Sequence, residues 1–236
     1  MLHFMRDEEF DPAQFCDHAP ALVVPQPEDG LAVAIGTDPA RKPKATFTFD
    51  AAHPVLLLLD PDSQTPGGRD VWPVMAASAA ASDARVQVFG RLPYKGWDVP
   101  TYHGEWPSNT YGTQWECQSR IERINKGDEI VRPMLVCLDS WNHKELPAAI
   151  NAITTFGQRA RIHLIVRTSL WEPALATVNS VLAVGGSRCN YHFPTFSPGL
   201  PNIPSRADTA ILTTPEGITE IVLPPNPAPQ NTSATT

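Results

Sequence analysis

The chain has 236 residues, of which 42% are hydrophobic and 18% are charged, and its formal net charge is −7. This apolar content is enough for a folded core, so the composition excludes a wholly disordered protein. Nucleic-acid binding needs clustered Lys and Arg, so a chain this acidic is a poor stand-alone binder of naked nucleic acid. The 25 prolines are about twice the usual frequency and indicate many uncharged loops.

The sequence shows no targeting or membrane signal. The opening MLHFMRDEEF lacks a basic segment followed by an apolar run. No purely apolar run exceeds five residues, the length of Val55–Leu59, which is far shorter than the ~20 residues that cross a bilayer. We therefore expect a cytoplasmic protein with reduced thiols. Cys189 and His192 have the spacing of half a metal site, but no second pair exists, so no metal is expected.

The chain begins with an acidic segment and continues with three predicted strands. Residues 1–30 hold seven acidic side chains and one basic side chain. Two short runs, 31–35 and 45–49, are typical of strands separated by a turn. Val55–Leu59 is apolar without alternation, which indicates a strand covered on both faces, as in a parallel sheet.

A loop rich in proline and glycine, 60–70, precedes the first predicted helix, 71–82. Asp70 is a suitable N-cap for this helix, and its alanine-rich sequence is strongly helix-forming. Alternation over 85–89 predicts another strand. Residues 91–112 are rich in Pro, Gly, Tyr and Trp and predict a long excursion over the sheet.

The second half of the chain continues the alternation of helices and strands. Trp115, Ile121 and Ile124 form a predicted apolar helix stripe, and Gly157 is expected to end a later helix. The predicted helices are 113–126, 145–156 and 172–179, the predicted strands are 134–138, 162–166 and 180–184, and 210–213 with 218–223 form a predicted hairpin.

This order predicts an α/β domain with a mainly parallel sheet, helices on both faces, and a β-hairpin near each end. We assign residues 31–225 to a single domain, 1–30 to an acidic N-terminal segment and 226–236 to a disordered tail. Parallel sheets bind ligands beyond the carboxyl ends of their strands. The candidate site is therefore built from residues 60–70, 139–143 and 167–171.

The order of motifs resembles the motor domain of FtsK/SpoIIIE-type DNA translocases, which are related to conjugation and type VII secretion ATPases. The resemblance covers roughly residues 30–225 and rests on order and spacing. LAVAIG at 31–36 and HPVLL at 53–57 resemble the lead-in to that family's P-loop. PMLVCLD at 133–139 resembles its Walker B strand, and GQRARIHLIVRT at 157–168 resembles the stretch that contains its sensor strand.

The resemblance implies a RecA-like P-loop NTPase fold with degenerate catalytic motifs. SQTPGGRD at 63–70 stands where the family has G-x-x-x-x-G-K-[ST], and only Gly68 matches fully. The vestigial residues are those of the nucleotide loop, the Walker B strand and the sensor: Gly67, Gly68, Arg69, Asp70, Asp139, Ser140 and Thr168.

Four departures from the family pattern predict that hydrolysis is lost. The broad head of Arg69 does not substitute for a compact Lys ammonium, and Asp70 replaces the hydroxyl that ligates Mg²⁺. Ser140 replaces the acid that polarises water, and Ser169 begins a stretch where the family has a Gln-Arg pair. We expect no intact catalytic residue and no cofactor.

Simpler structural roles compete with the functional interpretation of several residues. Asp70 is better explained as a helix N-cap than as a metal ligand. Arg69 and Asp139 either pair across the vacated pocket or are separately solvated. Arg159 and Arg161 are either arginines presented to a neighbouring subunit or ordinary surface residues, the latter being favoured.

Other chemistry-bearing residues are also favoured as structural. His163 is expected to be a packed, hydrogen-bonded core residue, and Cys137 lies inside a predicted buried strand, so pairing with His143 as nucleophile and base is disfavoured. The aromatic residues of the excursion either stack on a partner or, more readily, pack over the sheet; they are Trp97, Tyr102, Trp106, Tyr111 and Trp115.

Two functions remain open from the sequence. The first is an inactive FtsK-like domain that binds a protein partner, either an active FtsK-like ATPase or further copies of itself, with DNA present only as part of such a complex. Residues 94–115 and 1–30 are then the expected contact surfaces. The alternative is an active ATP- and Mg²⁺-dependent DNA translocase with a divergent P-loop, in which Arg69 performs the role of Lys.

Overall fold

The structure is a computed structural model, and it describes residues 23–36, 45–59, 71–89, 101–102, 110–127, 131–139, 146–168, 175, 177–185, 204 and 206–223. The helices of this part of the chain are α1 (Val71–Ala81), α2 (Thr110–Asn125) and α3 (Leu146–Ala160). Its strands are β1 (Leu31–Gly36), β2 (Ala45–Phe49), β3 (Val55–Leu59), β4 (Arg85–Phe89), β5 (Thr101–Tyr102), β6 (Met134–Asp139), β7 (Ile162–Thr168), β8 (Val181–Val184), β9 (Thr209–Thr214) and β10 (Gly217–Val222).

Within the described residues, the main sheet has eight strands in the order β10-β9-β8-β3-β7-β6-β4-β5. The strands from β8 to β5 are parallel, and the β9–β10 hairpin continues the sheet in antiparallel fashion. β1 and β2 form a separate antiparallel pair. The predicted mainly parallel α/β fold and both hairpins are confirmed, and β3 and β6 are near neighbours, with only β7 between them.

Strand β3 lies inside the sheet and supplies side chains to two cores. Leu56 and Leu58 pack with the β1–β2 hairpin and α1 on one face. Val55, Leu57 and Leu59 pack with α3 and the facing residues of β7 on the other. None of the five is more than 3% exposed. Because every residue of the strand is buried, its sequence is apolar throughout rather than alternating, as predicted.

Helix α3 continues past Gly157, so the prediction that this glycine ends the helix is wrong. A Cβ at Gly157 would lie 2.6 Å from the Ile162 carbonyl oxygen, which shows that the glycine permits close packing. The helix ends at Ala160, and the next residue, Arg161, has a φ of 53° in the left-handed region. Arg120 on α2 closes this end by donating from Nε to the Ala160 carbonyl at 2.8 Å.

Three other expectations differ from the structure. β5 is an unpredicted strand inside the proposed excursion, and it extends the sheet by pairing with β4. Trp115 is 54% exposed, so it does not belong to a buried stripe of α2. The predicted helix 172–179 is described only in part. In that part the Val178 N–H donates to the Leu175 carbonyl at 3.0 Å and forms a tight turn, and residues 178–180 are not helical.

We expect Gly157→Ala to lower the free energy of unfolding by about 1–3 kcal/mol, because the new methyl group would meet the Ile162 carbonyl and the Ile153 side chain. Thr154→Ala, at an exposed position of the same helix, is the control and is expected to change stability little. Urea unfolding followed by circular dichroism measures both variants. Equal stability of the two would contradict the close-packing role of Gly157.

Candidate functional site

The carboxyl edge of the sheet contains the described part of the predicted nucleotide site. Thr168 ends β7 beside Leu59 of β3, while Asp139 ends β6 beside Arg167 of β7. Asp139 and Thr168 therefore end adjacent strands at one edge. Thr168 is 2% exposed. Gly67, Gly68, Arg69, Asp70 and Ser140 lie outside the described residues, so the vestigial loop and the Arg69–Asp139 pairing stay predictions.

The first turn of helix α1 is fixed at this same edge. Val71 and Trp72 are at most 2% exposed and pack into the core beneath the β1–β2 hairpin. Farther along α1, Ser78 Oγ accepts a hydrogen bond of 2.8 Å from the backbone N–H of Ala34. Because the start of a helix attracts anions, the fold puts a favourable place for negative charge beyond the end of β3.

At the opposite, amino-terminal edge, a histidine joins three segments that are distant in sequence. His53 Nδ1 lies 2.9 Å from Ser180 Oγ, and His53 Nε2 lies 3.1 Å from Glu216 Oε1. Ser180 Oγ also donates to Asn179 Oδ1 at 3.2 Å. These contacts tie the turn before β3 to the start of β8 and to the β9–β10 turn.

The Ser180–His53–Glu216 arrangement has the composition of a hydrolase triad but not its accessibility. Ser180 is 0% exposed, so no substrate carbonyl can reach its hydroxyl. The arrangement therefore holds the fold together. It was not predicted, since the three residues lie 127 and 163 positions apart and no local pattern marks contacts of that range.

His163 is buried as predicted, at 2% exposure, and its ring lies 5.4 Å from that of Phe49. The expectation that it is hydrogen-bonded is not met at Nδ1, which has no partner in the described part of the chain. Burial lowers the pKa of His163 to about 4, so the ring is neutral near pH 7.

The cysteines of the described segments are structural. Burial raises the pKa of the Cys137 thiol far above its usual value and that of Cys117 to about 11, so neither forms a thiolate near pH 7. His143, Cys189 and His192 lie outside the described residues. Among the residues that are described, no three His, Cys, Asp or Glu side chains are grouped as metal ligands. No helix in the described part of the chain is long and apolar enough to span a bilayer.

The two predicted arginines lie away from the carboxyl edge, and Trp115 is the predicted aromatic residue whose side chain the structure describes. Arg159 and Arg161 are exposed where α3 returns to the amino-terminal end of β7. Arg161 donates from Nη1 to the Val131 carbonyl at 3.4 Å. Trp115 is exposed, so its predicted packing over the sheet is wrong. The side chains of Trp97, Tyr102, Trp106 and Tyr111 lie outside the described part.

Three solved structures share this fold. The cytoplasmic domain of EssC matches with a TM-score of 0.53 and 11% identity over 94% of this chain. EssC (ATPases 2 and 3) from Geobacillus thermodenitrificans matches with a TM-score of 0.57 and 11% identity over 89% of it. Thermomonospora curvata EccC (ATPases 2 and 3), in complex with a signal sequence peptide, matches with a TM-score of 0.55 and 11% identity over 88% of it.

The chain spans a little under half of each of these structures, namely 48%, 44% and 43% of their lengths. No protein-family model matches the sequence, and no curated protein does. The likeness is therefore one of fold, and it shows that the chain has the α/β architecture of these ATPase domains.

We expect His53→Ala to lower the free energy of unfolding by about 1–3 kcal/mol, since it removes a buried hydrogen bond to Ser180. Glu216→Gln is the comparison variant; it leaves that bond in place and alters a side chain that is 66% exposed, so it should change stability much less. Thermal and urea unfolding measure both. If Glu216→Gln lowered stability more than His53→Ala does, the stabilising role of the His53–Ser180 hydrogen bond would be contradicted.

The neutral His163 predicts an acid-dependent stability. An unfolded imidazole takes up a proton near its ordinary pKa of about 6.5, whereas the buried one does so only near 4. The unfolded state therefore binds more protons between these values, and stability falls as the pH decreases from about 6.5 to about 4, by roughly 3 kcal/mol in total. When urea unfolding is measured across this pH range, the free energy of unfolding should fall less steeply with decreasing pH for His163→Leu than for the wild-type protein. Identical slopes for the two proteins would contradict the assignment of this pH dependence to His163.

Proposed function

We propose that this protein is a cytoplasmic, ATPase-like domain that does not hydrolyse nucleotide and acts by binding a protein partner in a secretion or translocation machine. The observation that supports this most directly is the strand order at the carboxyl edge. It brings Asp139 and Thr168 to neighbouring strand ends next to the strand that precedes residues 60–70. We assign this chain to a degenerate, RecA-like version of the P-loop fold.

The residues proposed for that edge do not support phosphoryl transfer. In this reaction the protein contributes a positioned Lys, a held Mg²⁺ and a group that orients water. The chain offers Arg69, Asp70 and Ser140 at the corresponding positions. Asp70 directly precedes α1 in the sequence. We propose that it is the N-cap of this helix, where its carboxylate would take the place of a phosphate and disfavour a triphosphate.

A function in binding a protein partner would explain why this domain has the fold of an ATPase but lacks the residues for ATP hydrolysis. ATPases of the FtsK/SpoIIIE type work as rings in which the nucleotide edge of each subunit faces a neighbour, and an inactive copy can keep that interface. The EccC structure with its signal sequence peptide makes protein the first class of ligand to test. The exposed Trp115 and the acidic residues 1–30 are the proposed contact surfaces.

We expect the purified protein to show negligible ATP hydrolysis, with and without Mg²⁺, and no saturable binding of a fluorescent ATP analogue at micromolar concentrations. Phosphate release and fluorescence anisotropy measure the two. The double variant Arg69→Lys/Asp70→Ser restores the motif, so it should gain affinity if residues 60–66 allow the loop to wrap a phosphate. Arg69→Ala is the matched control.

Turnover at the rate of a working motor, abolished by Arg69→Ala, would overturn this proposal and favour the alternative of an active DNA translocase. Tight binding of duplex DNA by the isolated protein at physiological salt would also contradict it, because the proposed function places DNA only within a larger complex.

A further inference from the structure

Strand β10 is one edge of the main sheet among the residues that the structure describes. Its first four residues, 217–220, are exposed, and Ile218, at 69%, is the most exposed large hydrophobic residue in the described part of the chain. A single exposed isoleucine is common on protein surfaces. The backbone of this edge, and not the isoleucine alone, therefore decides what the strand can bind.

The hydrogen-bond register shows which backbone groups of β10 point outward. Directly after the strand, the Leu223 N–H donates to the Asp208 carbonyl at 2.8 Å, in the same register as the β9–β10 pairs. Because bonded pairs alternate along an antiparallel ladder, the odd-numbered residues of β10 bond to β9. The N–H and C=O groups of Ile218 and Glu220 therefore point away from β9, along the outer side of the sheet.

Side chains close the edge of the β1–β2 hairpin, in contrast to that of β10. Gln26 accepts a hydrogen bond from the Ala32 N–H through Oε1 and donates to the Ala32 carbonyl through Nε2, both at 3.0 Å. Ser78 Oγ accepts from the Ala34 N–H at 2.8 Å. Such contacts keep an edge strand from pairing with another chain. The two outward positions of β10 identified above have no side-chain cap of this kind in the described residues, and the strand contains neither proline nor lysine.

The side chains at the outward positions indicate the chemistry of a partner strand. Ile218 and Glu220 are two residues apart and so lie on the same face of the sheet. The nearby cation, Arg206, is held by Asp208 through hydrogen bonds of 3.0 and 2.7 Å, and Glu216 in the adjoining turn adds a further carboxylate. The edge is therefore acidic, and it is complementary to a strand with an apolar side chain beside Ile218 and a basic one beside Glu220.

We propose that β10 binds an extended segment of a partner protein, with alternating apolar and basic side chains, as an additional strand of the sheet. The outward backbone groups of Ile218 and Glu220 supply the main-chain hydrogen bonds, and their side chains select the sequence. The inference rests on the proposed function only for the expectation that the partner is a protein. ATP hydrolysis by this chain would overturn that function and not the binding at β10, whereas failure of the binding experiment would overturn this inference alone.

The test is a titration of the ¹⁵N-labelled full chain with the peptide acetyl-TKTVTKT-amide. Its valine has a lysine two residues away on either side, so the spacing matches Ile218 and Glu220 in both strand directions. We expect saturable binding with a dissociation constant of about 0.1–1 mM. Hydrogen exchange of the two outward amides should slow at least about fivefold at saturation. The absence of saturable binding, or protection confined to other residues, would overturn the proposal.

Two control peptides separate backbone pairing from charge. The same peptide with N-methylated valine and lysines keeps its charges but lacks the N–H donors that face the edge, so it should bind at least about tenfold more weakly. The peptide acetyl-TETVTET-amide reverses the charges and should also bind at least about tenfold more weakly. If either control bound as tightly as the parent peptide, the proposal would be wrong.

Variants of the chain connect the binding to named residues. Glu220→Lys should exchange the preference between the lysine and glutamate peptides, each affinity changing at least about tenfold. Glu122→Lys makes the same charge change at an exposed position of α2 and should alter the affinity less than about twofold. If Glu220→Lys does not fold, Ile218→Pro decides, because it removes an outward N–H and leaves the bonds to β9 in place. Unchanged affinity in the folded variant would overturn the proposal.

A second copy of this chain is the alternative occupant of the β10 edge. Sedimentation equilibrium of the wild-type protein without peptide distinguishes it. A dimer that Ile218→Pro converts to a monomer would overturn the proposal and assign the edge to self-association. A monomer, or an oligomer that this variant leaves intact, supports the partner strand.

Discussion

Strand β3 has apolar side chains on both faces, and the surrounding elements are arranged to cover them. β7 and β8 pair with its two sides, the β1–β2 hairpin and α1 cover one face, and α3 covers the other. Burying one such side chain contributes about 1.5–3 kcal/mol, so the five residues of this strand are a major source of the stability of the domain. Because the other elements are arranged around β3, its position also determines where the carboxyl edge and the amino-terminal edge of the sheet lie, and with them the polar side chains described above.

Those two ends differ in how they are built. At the carboxyl end, short strand termini bring Asp139 and Thr168 next to each other through backbone register alone. At the amino-terminal end, side chains make the connections: His53 contacts Ser180 and Glu216, while Gln26 and Gln158 hold the β1 lead-in against α1 and α3. The first end therefore depends on the fold, and the second depends on particular residues.

Local signals in the sequence were sufficient for most of the secondary structure. Continuous apolar runs identified β3 and β6, and the Thr214–Gly217 turn identified the β9–β10 hairpin. Gly157 was misinterpreted because a glycine that permits close packing looks the same in sequence as one that ends a helix. The exposure of Trp115 was missed because an aromatic residue at helical spacing usually faces a core.

The side-chain contacts at the amino-terminal edge of the sheet could not be predicted from the sequence. His163 was predicted to be buried, but nothing local indicates that its Nδ1 has no hydrogen-bond partner in the described part of the chain, or that Gln158 is tied to Asp29 from 129 positions away. Such contacts arise only when the sheet order is known. At the carboxyl edge the reverse holds, since the resemblance to FtsK/SpoIIIE-type motor domains names Asp139 and Thr168, and the sheet has both at the ends of adjacent strands.

The position of β3 also has a consequence for how the chain acquires its structure during synthesis. Leu57 pairs with Val166 of β7 and Val181 of β8, so both neighbours of the strand emerge from the ribosome roughly a hundred residues after it. Until then its five consecutive apolar residues have no sheet to join. Folding is therefore expected to be slow and late, and the nascent chain exposes an aggregation-prone segment that early binding by a chaperone would protect.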